Sequence, residues 1–482
     1  MFKSKQSFFS RRPSLVAIYL GGLVAFLLVS VASTSSQVVA STSSQPMSIA
    51  NAEYPGGQGT VTQVGGRAFS LPALGITDEQ HKAFTVGNSI FRTNWVQAPA
   101  SVTTLQGLGP LFNTRSCGSC HQQDGRGSPP RSERDEFVGL LLRISVPDAK
   151  DPLRMIDVPG YGDQIQSQSI LGVPAEGTPR VSYKEITGKF SDGETFTLLS
   201  PTYTIENLAY GDLPKNLRIS PRLAQQLVGL GLLDTIPEAA LLANADPEDR
   251  DSNGISGRPN WLGPNGTAPL GRFGWKANKP SVLEQDAAAL LGDMGITTPL
   301  HKNQECREGQ VACQKAFSLK DTEMSMQDLL RLTAYMKLLG VPKRRGFLDP
   351  EVLQGEKVFH QIQCNQCHTP SFKTGVDPEF SVLSNQWIFP YTDLLLHDMG
   401  QGLADDRPDH QASGREWRTA PLWGIGLVHD VSRHDRLLHD GRARGVKEAI
   451  LWHDGEAKSA KEEFIKLPKK DREALIKFVN SL

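Results

Sequence analysis

Two pentapeptides carry the most specific chemistry in this chain, Cys117-Gly118-Ser119-Cys120-His121 and Cys364-Asn365-Gln366-Cys367-His368. On a helical turn, positions i, i+3 and i+4 share one face. Each pentapeptide therefore aims two thiols and one imidazole the same way. That set suits covalent attachment of a c-type haem, in which two thioethers hold the porphyrin and the adjacent histidine reaches the iron. A zinc site built from the four thiolates, or a redox dithiol, would leave the paired histidines without a purpose. The motifs use four of the six cysteines. They predict two covalently bound haem c groups, attached through Cys117, Cys120, Cys364 and Cys367 and ligated by His121 and His368.

The sixth iron positions read differently in the two halves. No histidine follows His121 until His301, so no imidazole close behind it in sequence caps the first iron. Behind the second motif come Met399 and His410. Met399 is the expected sixth ligand, with His410 second, and a thioether would raise the haem potential relative to an imidazole. An open first iron needs an acid or base nearby. Tyr161, Gln164, Gln168, Glu176 and Glu185 are the polar residues that flank it in sequence. Asp249-Arg250-Asp251-Ser252-Asn253-Gly254 imitates the start of a calcium loop, although Asn260 stands where the closing acid belongs. A capped polar turn competes there with a Ca2+ site.

The elements that position these residues are partly legible. Thr77-Asp78-Glu79 reads as a helix start leading into Phe84, Ile90, Phe91 and Trp95. In both halves a phenylalanine stands five residues before the first cysteine, since 117 − 112 and 364 − 359 both equal five. This suggests a duplicated cytochrome-c-like unit whose Phe packs near the haem edge. Residues 181–205 alternate apolar and polar side chains around Ser191-Asp192-Gly193, a hairpin pattern. Residues 327–339 and 469–482 read as helices. The expected fold is mainly α: a signal peptide or N-terminal membrane anchor over 1–40, a flexible linker over 41–75, an N-terminal haem domain with a β-hairpin insertion over 76–342, and a C-terminal haem domain over 343–482.

Lys3, Lys5, Arg11 and Arg12 precede the apolar run 15–32, the pattern of an export signal that could also be kept as a membrane anchor. Either way the folded part is expected outside the cytoplasmic membrane, in the periplasm. In that oxidising compartment Cys306 and Cys313 are expected to pair. A net charge of −1 gives no basic field for nucleic acid.

Further pieces of sequence bear on identity. They include Tyr161-Gly162-Asp163-Gln164, Asn253-Gly254-Ile255-Ser256-Gly257-Arg258, Gly271-Arg272-Phe273-Gly274-Trp275-Lys276, His397-Asp398-Met399-Gly400 and His439-Asp440-Gly441-Arg442. With the two haem motifs, they make residues 75–482 closely resemble the di-haem oxidoreductase family, relatives of bacterial di-haem cytochrome c peroxidases. The resemblance implies two cytochrome-c-like domains with adjacent haems. The N-terminal haem would be the peroxide site and the C-terminal haem the electron relay. It also implies a calcium ion and an aromatic bridge, usually Trp, between the haems. Tyr161 falls near the bridge position, and Glu176, within Gly172-Val173-Pro174-Ala175-Glu176-Gly177, resembles the catalytic Glu segment. Glu176, Tyr161 and Gln168 are thus the candidate catalytic residues, with Glu185 in reserve. The implied activity is peroxide reduction with electrons from a donor protein or small redox carrier. Alternatives are an electron-transfer cytochrome with no substrate of its own, and an enzyme that oxidatively modifies a protein partner.

Overall fold

In the computed structural model, which describes residues 52–150, 154–263, 268–317, 319 and 321–482, the first long helix starts where side chains can cap it. Thr77 accepts from the Gln80 amide, and the Gln80 side chain accepts from Thr77 N, so two otherwise unpaired donors are satisfied at the head of Asp78–Arg92. This helix buries Phe84 and Phe91 against Tyr335, at ring distances of 4.7 and 5.3 Å, on the helix Met326–Leu338. Gly87 permits the close crossing, because a Cβ there would run into Arg331 O and Tyr335 Cβ. The second half repeats the device. Helix Pro350–Gln361 crosses Lys469–Ser481 at Gly355, where a Cβ would meet Ala474 O.

Four residues after each glycine comes a phenylalanine whose ring lies 6.3 Å from the motif histidine: Phe91 to His121 and Phe359 to His368. The repeat is therefore carried by Gly87 and Phe91, not by Phe112. Phe112 instead lies in the short strand Leu111–Phe112, paired antiparallel with Gln168–Ser169.

The fold is mixed α/β, 31% helix and 18% strand, and this corrects the expectation of a mainly α protein. Gly and Pro keep most helices short, and much of the remaining backbone satisfies its polar groups in ribbons of two or three strands. The largest is the expected hairpin, Thr178–Lys189 with Thr195–Glu206, in register from Thr178↔Glu206 to Lys189↔Thr195. Its tip reaches the C-terminal helices. Phe190 packs on Phe464 at 5.9 Å, and Arg472 lies 4.0 Å over the Phe190 ring while pairing with Asp192 and Glu194 at 2.8 and 3.0 Å. A second sheet sets Leu140–Pro147 between Met155–Ile156 and Arg218–Leu223.

Residues 48–482 form one compact unit. One apolar cluster gathers around the first motif, with Phe91, Phe112, Tyr335 and Trp423, and another around the second, with Phe359, Phe478, Trp417 and Trp275. Residues 52–75, expected to continue a flexible linker, pack instead. Val61, Ala68 and Phe69 are apolar and fully buried. Cys306 and Cys313 are disulfide-bonded. The expected signal or anchor over 1–40 lies outside the described residues, and among those no helix is long and apolar enough to cross a membrane.

Candidate functional site

Cys117–Cys120 make one helical turn, which brings both sulfurs and His121 to a cavity of about 1830 Å³, solvent at its mouth included. His121 Nδ1 lies 2.7 Å from Gln225 O. A ring that donates from Nδ1 to a carbonyl keeps its lone pair on Nε2, the form that ligates a metal. Burial pushes His121 down to about 4, so it stays neutral, and pushes the Cys120 thiol up to about 11. Arg126, Arg143, Arg222 and Arg418 also line this cavity. Arg222 Nη2 is buried without a hydrogen-bond partner, although Asp405 and Asp409 stand 3.6 and 3.7 Å away. Buried guanidinium groups with unspent donors suit the propionates of a porphyrin.

The second motif repeats the arrangement with a 3₁₀ turn, Cys364–Gln366. Cys364, Cys367 and His368 line a cavity of about 1600 Å³, and His368 Nδ1 lies 2.9 Å from Tyr391 O. Burial again pushes the imidazole down to about 4 and the Cys364 thiol up to about 12. None of the four motif cysteines is in a disulfide. At both places the residues present fit a covalently attached haem.

The two cavities share a wall. Arg126, Gln226, Trp275, Arg418, Ala420 and Pro421 face both. Trp275 is buried, donates from Nε1 to Leu223 O at 2.7 Å, and has the Arg126 guanidinium 5.5 Å from its ring. The aromatic residue between the sites is thus Trp275 and not Tyr161. Tyr161 donates to Gly211 O at 2.5 Å and packs edge-on against Tyr210, away from both cavities. Trp275 stood in a quoted segment, but its place between the sites depends on contacts far apart in sequence.

Residues 49–482 match the family described as "Di-haem oxidoreductase, putative peroxidase". The chain belongs to the di-haem oxidoreductase family. No curated protein matches it. Among solved structures it is similar to a chain of Kuenenia stuttgartiensis hydrazine synthase pressurised with xenon. That match has 12% identity, a TM-score of 0.34, and covers 98% of this chain and 100% of that one.

The other expected site residues scatter. Glu176 is buried and pushed up to about 8 by desolvation, against hydrogen bonds from Gln166 N and Gln310 Nε2, both at 2.7 Å. It faces a separate small cavity beside the Cys306–Cys313 disulfide. Gln164 borders that cavity too, and reaches Asp293 Oδ1 at 2.9 Å in the wall of the first haem cavity. Gln168 is exposed and donates to Asn113 O at 2.8 Å; Glu185 is exposed on the hairpin. The carboxyls that do line the first haem cavity of this family member are Asp286, Asp293 and Asp409. Burial pushes Asp286 up to about 8, while Thr333 Oγ1 donates to its Oδ2 at 2.8 Å. Nothing in the sequence set this acid apart, because its proton is kept mainly by burial, helped by the Asp234 charge.

Met399 is half-buried in the second cavity, whereas His410 is exposed and lines neither. His397 and His439, which open two of the segments that carry the resemblance, and His453, which the sequence did not mark, also line the second cavity. The side chains of the expected calcium loop hydrogen-bond mainly within the loop itself. Asp249 accepts from Gly254 N, both oxygens of Asp251 accept from Asn253, and Asn253 Oδ1 accepts from Ile255 N. As arranged they do not fit a calcium ion, and no group of three or more His, Cys, Asp or Glu among the described residues could hold a metal ion.

Proposed function

We propose that this di-haem oxidoreductase is an exported peroxidase, with peroxide reduced in the first cavity and electrons entering through the second. The shared wall at Trp275 carries this reading, because it joins a cavity with no second histidine to one with three more. Each peroxide takes two electrons and two protons and leaves as two waters. The haems, when bound, supply the redox change at iron. The chain's part is to hold them adjacent, to orient His121 and His368 through carbonyl bonds, and to deliver protons. Asp286 is the acid that can do so. Near pH 7 its carboxyl keeps its proton, and it borders the cavity where Glu176 does not. An electron-donor protein or small redox carrier would be the partner.

A second reading, an electron carrier with both irons capped, is favoured by Met294 and Met336 in the wall of the first cavity. EPR of the holoprotein separates the two. A high-spin first iron supports the peroxidase, and a first iron that is low-spin in both the oxidised and the half-reduced protein supports the carrier. In steady-state assays with peroxide and a reduced donor, Asp286→Asn should keep both haems and lose about 10²–10⁴-fold in turnover, the usual worth of general acid catalysis. Loss of that size in Glu176→Gln, with Asp286→Asn unaffected, would return the role to Glu176.

A further inference from the structure

The second cavity holds a histidine set up as the two motif histidines are, but belonging to neither motif. We propose that His453 is the sixth ligand of the second haem, in place of Met399. This rests on the reading that Cys364 and Cys367 carry a haem c.

Helix Val446–Trp452 ends at His453, and the ring turns back so that Nδ1 lies 2.6 Å from Ala449 O. That bond places the ring proton on Nδ1 and leaves the Nε2 lone pair available. His121 and His368 make the same kind of bond, to Gln225 O and Tyr391 O. His453 lines the same cavity as His368, and among the described residues no protein group bonds its Nε2.

The chain just after the ring is also held. The following residue, Asp454, bonds Gly455 N at 3.0 Å and Lys461 Nζ at 3.0 Å. Two residues further on, Glu456 accepts from Ser256 N and Oγ at 3.0 and 2.7 Å. A ligand fixed before the metal arrives loses less freedom on binding it.

The other donors in this cavity suit the role less well. His397 has both nitrogens engaged, Nε2 with Asp393 at 2.8 Å and Nδ1 with Glu456 at 2.6 Å, which leaves no lone pair. His439 lies flat on Trp417, 3.8 Å between ring centres and 11° between planes, with Nε2 3.9 Å from Asp440 and no carbonyl orienting Nδ1. Met399 has no orienting bond, and its contacts are those of a side chain packed on the second apolar cluster. A simple helix cap would account for the Nδ1 bond of His453. It would not account for an unspent Nε2 on a ring that lines the same cavity as His368. Two imidazoles would leave the second haem at a lower potential than a histidine–methionine pair.

The test uses the holoprotein and its His453→Ala, His453→Met and Met399→Ala variants. Haem is counted as the pyridine haemochrome, spin state is read by EPR, and a thioether–iron bond by its charge-transfer band at the red edge of the visible spectrum. The expected wild type has two haems and no thioether band, and Met399→Ala leaves the second haem low-spin. His453→Ala turns that haem high-spin with both haems retained, and added imidazole restores the low-spin signal. His453→Met brings in the thioether band and raises the potential, so it answers the same question should the alanine variant not fold. A low-spin second haem in His453→Ala, or a wild-type thioether band that Met399→Ala abolishes, overturns the assignment. Fewer than two covalent haems in the wild type would instead overturn the reading on which it rests.

Discussion

Around His121 the cavity wall carries three aspartates, two methionines and no further histidine, whereas around His368 it carries three further histidines, one methionine and Glu456, and Arg126 and Arg418 border both. The two regions start from the same parts: a Cys-x-x-Cys-His turn, a carbonyl-oriented imidazole, and a Gly-x-x-x-Phe helix that sets a ring 6.3 Å from it. What was built around these parts diverged. The first region holds a carboxylic acid that burial keeps neutral, Asp286. The second holds an imidazole, His397, gripped by two carboxylates, Asp393 at 2.8 Å and Glu456 at 2.6 Å. A neutral acid can give a proton to a bound substrate, while a spare imidazole can close an iron to substrate. The difference teaches that two like mounts are set apart by their walls and not by their motifs, and on the proposed reading the walls are what divide chemistry from electron supply.

The largest effect would come from removing one mount at a time. Cys117→Ala/Cys120→Ala and Cys364→Ala/Cys367→Ala should each drop haem content from two per chain to one, read as the pyridine haemochrome. The first pair should abolish peroxide binding, and the second should abolish the low-spin EPR signal. If both pairs lose the same spectral species, the comparison is broken.

Next comes the pH dependence that Asp286 builds into the first region. Its ordinary pKa is 3.8, and in the fold it is pushed up to about 8. Below the lower value both folded and unfolded chains carry the proton. Between the two values only the folded chain does, so its contribution is present at low pH and is lost as pH rises through about 8. The decline is at most about 1.4 kcal/mol per pH unit. Denaturant unfolding of Asp286→Asn across this window should show a flatter pH profile than wild type. An unchanged slope would remove the buried acid from the first region.

Much of this was legible in the sequence, and the failures have physical causes. The turns at the two Cys-x-x-Cys-His motifs, the capped helix at Thr77, the long hairpin and the Cys306–Cys313 bond depend on local patterns, and local patterns survive without tertiary context. The repeat was also legible, but it was sought by distance from the cysteines. That chose Phe112, whereas the true pair follows glycines, Gly87 with Phe91 and Gly355 with Phe359, and an insert displaces the first pair from its motif. The mainly α expectation failed because short ribbons leave weak periodicity. Trp275, Asp286 and His453 were missed because each acquires its place by long-range packing or its protonation by burial, and neither is written in neighbouring residues.

Those glycines allow a smaller test of whether the two mounts are equivalent. Gly87→Ala and Gly355→Ala each force a methyl into a backbone carbonyl of the facing helix. Overpacking of this kind costs about 1–3 kcal/mol. Each variant should also disturb the spectrum of its own haem only, Gly87→Ala the first and Gly355→Ala the second. Equal disturbance of both haems by either variant would mean the two mounts are coupled and not merely adjacent.

The smallest effect is expected at the loop beside the second region. Asn253 lines that cavity, so an ion held by Asp249, Asp251 and Asn253 would touch the second haem's surroundings and not the first's. The loop's oxygens are already paired with its own amides, most fully at Asp251, where both accept from Asn253. An ion would have to compete with these bonds for the same oxygens. A chelator should therefore leave both haem spectra unchanged, with metal removal verified by elemental analysis. Asp251→Ala should shift stability by no more than about 0.5 kcal/mol, as for an exposed turn. A chelator-sensitive second haem, restored by added calcium, would show that the loop rearranges around an ion, and it would add a metal to the list of what separates the two regions.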